Sequence, residues 1–163
     1  LRPGLAPAAL IAGGGQEKGR RGGTEPLPAI AGMAAAAEAA QPDQAARLAP
    51  LRDAIEAACL ALGAEVAGAG APRLPNTTSL VLPGVPAETQ VIALDIAGVR
   101  VSAGAACSSG KVGRSPVLAA MGLGERAGQA IRVSLPWNAP EDAPARFVAA
   151  WAAMREKLVR RAA

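Results

Sequence analysis

The chain has 163 residues, of which 51% are hydrophobic, and a formal charge of +4, which suits one medium domain or a small domain plus a piece of another. It contains no histidine, so no Ser-His or Cys-His catalytic pair exists within it. Its two cysteines, Cys59 and Cys107, make neither a CxxC nor a metal-ligand spacing nor a disulfide framework, and a reducing cytoplasm is the expected location.

Leu1 rather than Met opens the chain, and its first residues read as the middle of something longer, so a truncated chain is expected. LRPGLAPAALIA at 1–12 is apolar and broken by prolines. It predicts a loop ending in a short strand, and makes a poor signal peptide. No apolar run approaches the roughly 20 residues of a membrane span, so no membrane partner is expected. GGGQEKGRRGGTE at 13–25 predicts a Gly-rich polar loop. Its arginines, backbone N–H groups and the Thr24 hydroxyl suit an anion, although a plain surface loop has the same composition. KGRRGG at 18–23 and REKLVRR at 155–161 are the only dense basic patches. No aromatic residue interleaves with them, so no nucleic-acid partner is expected.

PLPAIAGMAAAAEAA at 26–40 predicts an Ala-rich helix with Pro26 and Pro28 near its first turn, where the missing N–H costs nothing. Residues 42–63 carry Leu48, Leu51, Ile55, Cys59 and Leu62 at steps of three and four, one apolar helical stripe. Gly63 is the expected stop, and Pro50 is expected to kink or split the helix. Cys59 lies on the stripe, as a small buried hydrophobe would. Residues 64–70 then predict a loop or short strand, 74–84 a strand, 87–98 a helix ending at Gly98, and 99–104 a short strand. A short helix opened by Ser115-Pro116 follows, then a strand over 129–137. The closing helix aligns Phe147, Trp151, Met154 and Leu158 on one face, which core packing explains. The order β, β, α, β, α, β, α predicts an α+β fold with helices packed on a sheet.

SAGAACSSG at 102–110 raises the chemical question, because Cys107 sits among residues too small to pack a core. A thiolate is a strong nucleophile that needs exposure and a lowered pKa. Gly, Ala and Ser are expected to give exposure and mobility, Ser108 and Ser109 to stabilise a negative sulfur, and Lys111 and Arg114 to add positive charge. The alternative is a free, inert cysteine. The segment is not a phosphate loop: Gly104 and Gly110 stand one residue too far apart, and Val112 occupies the hydroxyl position. Arg132, among apolar neighbours on a strand, either snorkels to the surface or is a buried carboxylate fork.

Taken together, these stretches resemble the cysteine desulfurases, pyridoxal-phosphate (PLP) enzymes of the class V aminotransferase family. GGGQEKGRRGGTE is similar to that family's Gly-Gly-Gly-Gln-Glu…Gly-Thr loop, LPNTTSLVLPGV to its Pro-Asn-Thr strand, and VRVSAGAACSSG to the persulfide-cysteine loop of the long-loop class. SPVLAAMGLG and IRVSLPWNAPED match the segments that follow, in the same order. The resemblance implies the small C-terminal domain of a fold-type I PLP enzyme, with helices on a short, mostly antiparallel sheet. It implies the tail of the large α/β domain, with the dimer-interface loop, at 1–40, a connecting helix at 41–63 and the small domain at 64–163. Cys107 would attack the sulfur of a cofactor-bound L-cysteine, releasing L-alanine and leaving a persulfide for iron–sulfur cluster assembly or thio-modification. Arg132 matches the arginine that grips the substrate carboxylate, and Thr24 the threonine that reaches the cofactor phosphate of the other subunit in a homodimer. Arg21 belongs to the same interface loop. Asn76 matches a family position without an assigned role. A sulfur-acceptor or scaffold protein is the implied partner.

The departures bear on activity. The family's Schiff-base lysine, its stacking histidine, the acidic partner of the ring nitrogen and the glycine-rich phosphate segment all lie before the region that matches. Lys18, Lys111 and Lys157 sit in the wrong motifs to replace the lysine, and Pro26 stands where Asn is common. The chain alone is therefore expected to be inactive. Two rivals are a freestanding persulfide carrier and another class V enzyme, such as a selenocysteine lyase or plain aminotransferase. The cysteine loop argues against the plain aminotransferase, which needs no such thiol.

Overall fold

A computed structural model describes residues 4, 5, 7–40, 42–104 and 114–162. The chain divides into two units, Leu1–Gln41 and Pro42–Ala163.

The first unit holds a one-turn element α1 (Gln16–Gly19), left-handed at Glu17 and Lys18, and the helix α2 (Leu27–Ala39). No strand forms among its described residues, contrary to the short strand expected before residue 13. A lone strand leaves its backbone groups unpaired, and this unit offers no second strand to pair with. α2 begins as its prolines predict, with Pro28 in its first turn, but it buries no residue. Leu27 and Met33 are 71% and 72% exposed, and Leu10 in the preceding segment is 97% exposed.

The second unit follows the predicted order. It contains α3 (Pro42–Ala61), β1 (Glu65–Val66), β2 (Thr77–Val81), α4 (Ala87–Ile96), β3 (Ser102–Ala103), α5 (Pro116–Ala120), β4 (Ala130–Ser134) and α6 (Ala143–Ala162). A 3-10 turn, Gly124–Gly128, links α5 to β4. The sheet order is β1-β2-β4-β3 and every pairing is antiparallel. One sheet face is packed by α3 and α4, with α6 against both helices, around Ile55, Leu80, Leu94, Ile131 and Trp151, all fully buried. The sequence stripes account for this: Leu48, Leu51, Ile55 and Cys59 of α3 and Phe147, Trp151 and Met154 of α6 all enter the core.

Pro50 neither splits nor ends α3. It removes one ladder bond, at a cost of about 3 kcal/mol. Leu48, Leu51 and Ile55 around it are buried, each stabilising by roughly 1.5–3 kcal/mol, so packing outweighs the proline. Gly63 closes α3 and Gly98 closes α4, with φ of 87° and 78°. In each the following N–H reaches back to the helix, Ala64 to the Cys59 carbonyl at 3.0 Å and Val99 to that of Leu94 at 2.8 Å.

Polar anchors fix the connections. Arg47 donates to the carbonyls of Trp137 (2.8 Å) and Ala139 (2.9 Å) and to Glu141 Oε1 (3.0 Å), tying the β4–α6 link to α3. Arg73 forks onto Glu56, with Nη2 donating to Oε2 at 3.1 Å and Nη1 to Oε1. Burial alone would raise the Glu56 carboxyl, but the Arg73 hydrogen bonds and the charges of Arg73 and Arg52 hold it below the usual carboxylate range. The same pairing raises Arg73.

Candidate functional site

The face of the sheet away from the helices carries the candidate residue Arg132. On β4 burial alternates, with Ile131 and Val133 inward and Arg132 and Ser134 exposed. Ser79 of β2 and Ser102 of β3 are the cross-strand partners of Arg132 on either side. Directly opposed side chains in an antiparallel pair stand about 4.5–5.5 Å apart at Cβ. The three therefore form one polar row, Ser79, Arg132, Ser102. The Arg132 side chain has no ion pair or hydrogen-bond partner among the described residues, and it is exposed. A guanidinium held in the middle of a sheet, with its fork free, is suited to an incoming carboxylate. The serines escaped notice in the sequence. The alternation in TTSLV and VRVSAG was the signal that would have put them beside the arginine.

β3 leads through Gly104 to the segment that carries Cys107. Cys107 and Lys111 lie outside the described residues. Arg114, expected to lend charge to the thiolate, is ion-paired with Glu125. Ser115 follows as the N-cap of α5, its hydroxyl accepting from the Leu118 N–H at 3.3 Å. The other cysteine, Cys59, is fully buried, and burial pushes its thiol up to about 12, so it remains a neutral packing residue as expected.

Asn76 acquires a structural role. Its side-chain N–H donates to the Leu135 carbonyl at 3.0 Å, and its own carbonyl accepts from the Leu135 N–H at 2.8 Å. The pairing of β2 with β4 is thereby extended past its regular ladder, below the row that holds Arg132.

Thr24 and Arg21 belong to the first unit, and they are close to each other. Arg21 Nη1 donates to the carbonyls of Gly23 and Thr24 at 3.4 Å. Thr24 is exposed and its hydroxyl has no partner among the described residues. The loop crosses itself at Gly13 and Gly22, where a Cβ on Gly22 would stand 2.9 Å from the Gly13 Cα. Only glycine permits that approach, which holds the Arg21–Thr24 corner in shape. A free hydroxyl beside an arginine fits the phosphate end of pyridoxal phosphate. The described lysines, Lys18 and Lys157, are exposed surface residues.

Comparison with known proteins agrees with these motifs. The family model described as aminotransferase class-V matches residues 13–143. A cysteine desulfurase of Rhodobacter capsulatus is 43% identical over 127 residues, covering 76% of this chain and 33% of that protein. The solved structure of a NifS-like protein superposes with a TM-score of 0.78 at 32% identity, covering 98% of this chain and 41% of that one. A NifS-like protein from Rickettsia africae superposes with a TM-score of 0.82 at 29% identity, covering 93% and 41%. This chain spans about a third of the length of the curated relatives it matches. Its α+β fold with a small antiparallel sheet is that of the NifS-like structures. With the model match running from the glycine loop through the cysteine segment and β4 to the start of α6, the chain belongs to the class-V aminotransferase family.

Proposed function

We propose that this chain is the C-terminal part of a PLP-dependent cysteine desulfurase, which converts L-cysteine to L-alanine and stores the sulfur as a persulfide on Cys107. The carrying observation is Arg132, an unpartnered guanidinium between Ser79 and Ser102 on the open sheet face, next to the strand that leads to Cys107. Arg132 grips the substrate carboxylate in this reading and so sets where the substrate sulfur lies. The Cys107 thiolate attacks that sulfur. An S–S bond forms, the substrate C–S bond breaks with its electron pair going to the substrate side, and protonation there yields alanine. When bound, pyridoxal phosphate supplies the electron sink that makes the substrate carbons reactive. Thr24 donates its hydroxyl to the cofactor phosphate across a homodimer, with Arg21 in the same corner.

The domain reading follows: residues 1–40 are the tail of the large cofactor domain, 41–63 a connecting helix, and 64–163 the small domain. The exposed apolar residues of α2 support this, since in the reading they pack on the large domain and the partner subunit. The persulfide passes to an acceptor or scaffold protein in the cytoplasm. The residues here reach only the phosphate end of the cofactor, so the isolated chain is inactive. The test is Cys107→Ala in the full-length enzyme. Sulfide release from L-cysteine should fall to background while substrate binding persists; a wild-type rate overturns the reading.

A further inference from the structure

A second cleft lies where the end of β4, the α4–β3 link and the start of α6 meet. Its volume is about 400 Å³, within the range of small-ligand sites. Val99, Pro136, Pro140 and Ala143 provide its accessible apolar floor, backed by the buried Ile55, Val133, Leu135 and Phe147, and two arginines, Arg100 and Arg146, line it from different elements. Both arginines are exposed, and neither has an ion pair or hydrogen-bond partner among the described residues. No acidic residue lines the cleft among the described residues. Glu141, two residues before α6, is engaged by Arg47. Arg132 does not line it.

Two positive forks over an apolar floor, with no described carboxylate lining the cleft beside them, are an asymmetric arrangement. A surface arginine serving solubility alone needs no such cavity. Guanidinium matches the planar oxygens of carboxylate and the oxygens of phosphate, and it sheds water more readily than an ammonium. The floor would favour a body that is aliphatic and short, given the volume. We propose that this cleft binds a small amphiphilic organic anion, its carboxylate or phosphate head held by Arg100 and Arg146 and its aliphatic body on the floor formed by Val99, Pro136, Pro140 and Ala143. The site is independent of the desulfurase reading, because it uses neither Cys107 nor Arg132.

The experiment is NMR titration of the isotopically labelled 163-residue chain with hexanoate, hexyl phosphate and 1-hexanol. The acids should shift the Arg100 and Arg146 side-chain Nε–H signals and the Val133 and Leu135 resonances together, saturably. Hexanol should bind at least about tenfold more weakly, the value of a charge-assisted hydrogen bond. Arg100→Gln and Arg146→Gln should each weaken acid binding about tenfold without changing the rest of the spectrum, and Arg146→Lys should fall between. Hexanoate alone or hexyl phosphate alone would identify the head group. Equal binding of hexanol, indifference to both Gln variants, or no saturable shift with either acid overturns the proposal.

Discussion

Two helices of this molecule, α2 and α6, are both rich in alanine, yet only one has a core. α6 places Phe147, Trp151 and Met154 in the core alongside α3 and α4, and all three are buried. α2 buries nothing, and its Leu27 and Met33 are more than two-thirds exposed. The difference is one of pattern and partners, not of apolar content. Large side chains at helical spacing gain burial in a core, which offsets the conformational entropy of ordering them. In the first unit Gly22 alone is buried among the described residues. The second unit thus has the means to hold itself together, while the first supplies surface.

That contrast can be broken by substitution. The largest effect should come from Trp151→Ala, which removes a fully buried side chain and should cost about 3–5 kcal/mol in denaturant unfolding. A loss below about 1 kcal/mol would mean that the second unit is not stabilised by this core.

Next comes the Glu56–Arg73 fork, the main polar tie between α3 and the segment before β2. Glu56→Gln should cost about 1–3 kcal/mol at neutral pH by weakening a largely desolvated charge pair. The native Glu56 pKa is depressed, so its contribution is full above the ordinary carboxylate value and is lost as pH falls through the lower native one. The stability gap between the parent chain and Glu56→Gln should accordingly narrow as pH drops below about 4.5. A gap that stays constant down to pH 2 would assign the effect to shape rather than charge.

Asn76→Ala should be milder, about 1 kcal/mol for one lost side-chain hydrogen bond. It should also raise amide exchange at Leu135, whose carbonyl loses its donor. Unchanged exchange there would remove Asn76 from the support of β4. The smallest effect should be Met33→Ala on α2, within about 0.5 kcal/mol in the isolated chain, as for an exposed site. A loss comparable to Trp151→Ala would reveal a core that includes α2, and would erase the contrast.

Much of the second unit was legible because its signals are local. Gly63 and Gly98 end their helices by taking a left-handed φ just past the last apolar residue, and the stripe that contains Cys59 faces inward because a helix repeats every 3.6 residues. The motif order from the glycine loop to β4 was legible in the same way, as strings that need no coordinates. The split expected at Pro50 did not occur, because its local penalty is visible in sequence while the opposing burial of Leu48, Leu51 and Ile55 is not. The strand expected before residue 13 failed for the complementary reason: a strand is a paired object, and apolar composition does not report whether a partner is present.

The candidate site divides along the same line. By itself the sequence determined the types and order of the chemical groups: a cysteine among small residues, an arginine on an alternating strand, a threonine closing a glycine loop. Only the tertiary structure decided that Arg132 stands exposed and unpaired between Ser79 and Ser102, that Arg114 is occupied by Glu125, and that Arg100 and Arg146 share a cleft. Those facts depend on strand register and helix docking between residues tens of positions apart. Such long-range contacts are set by the packing of the whole core, and no local propensity encodes them.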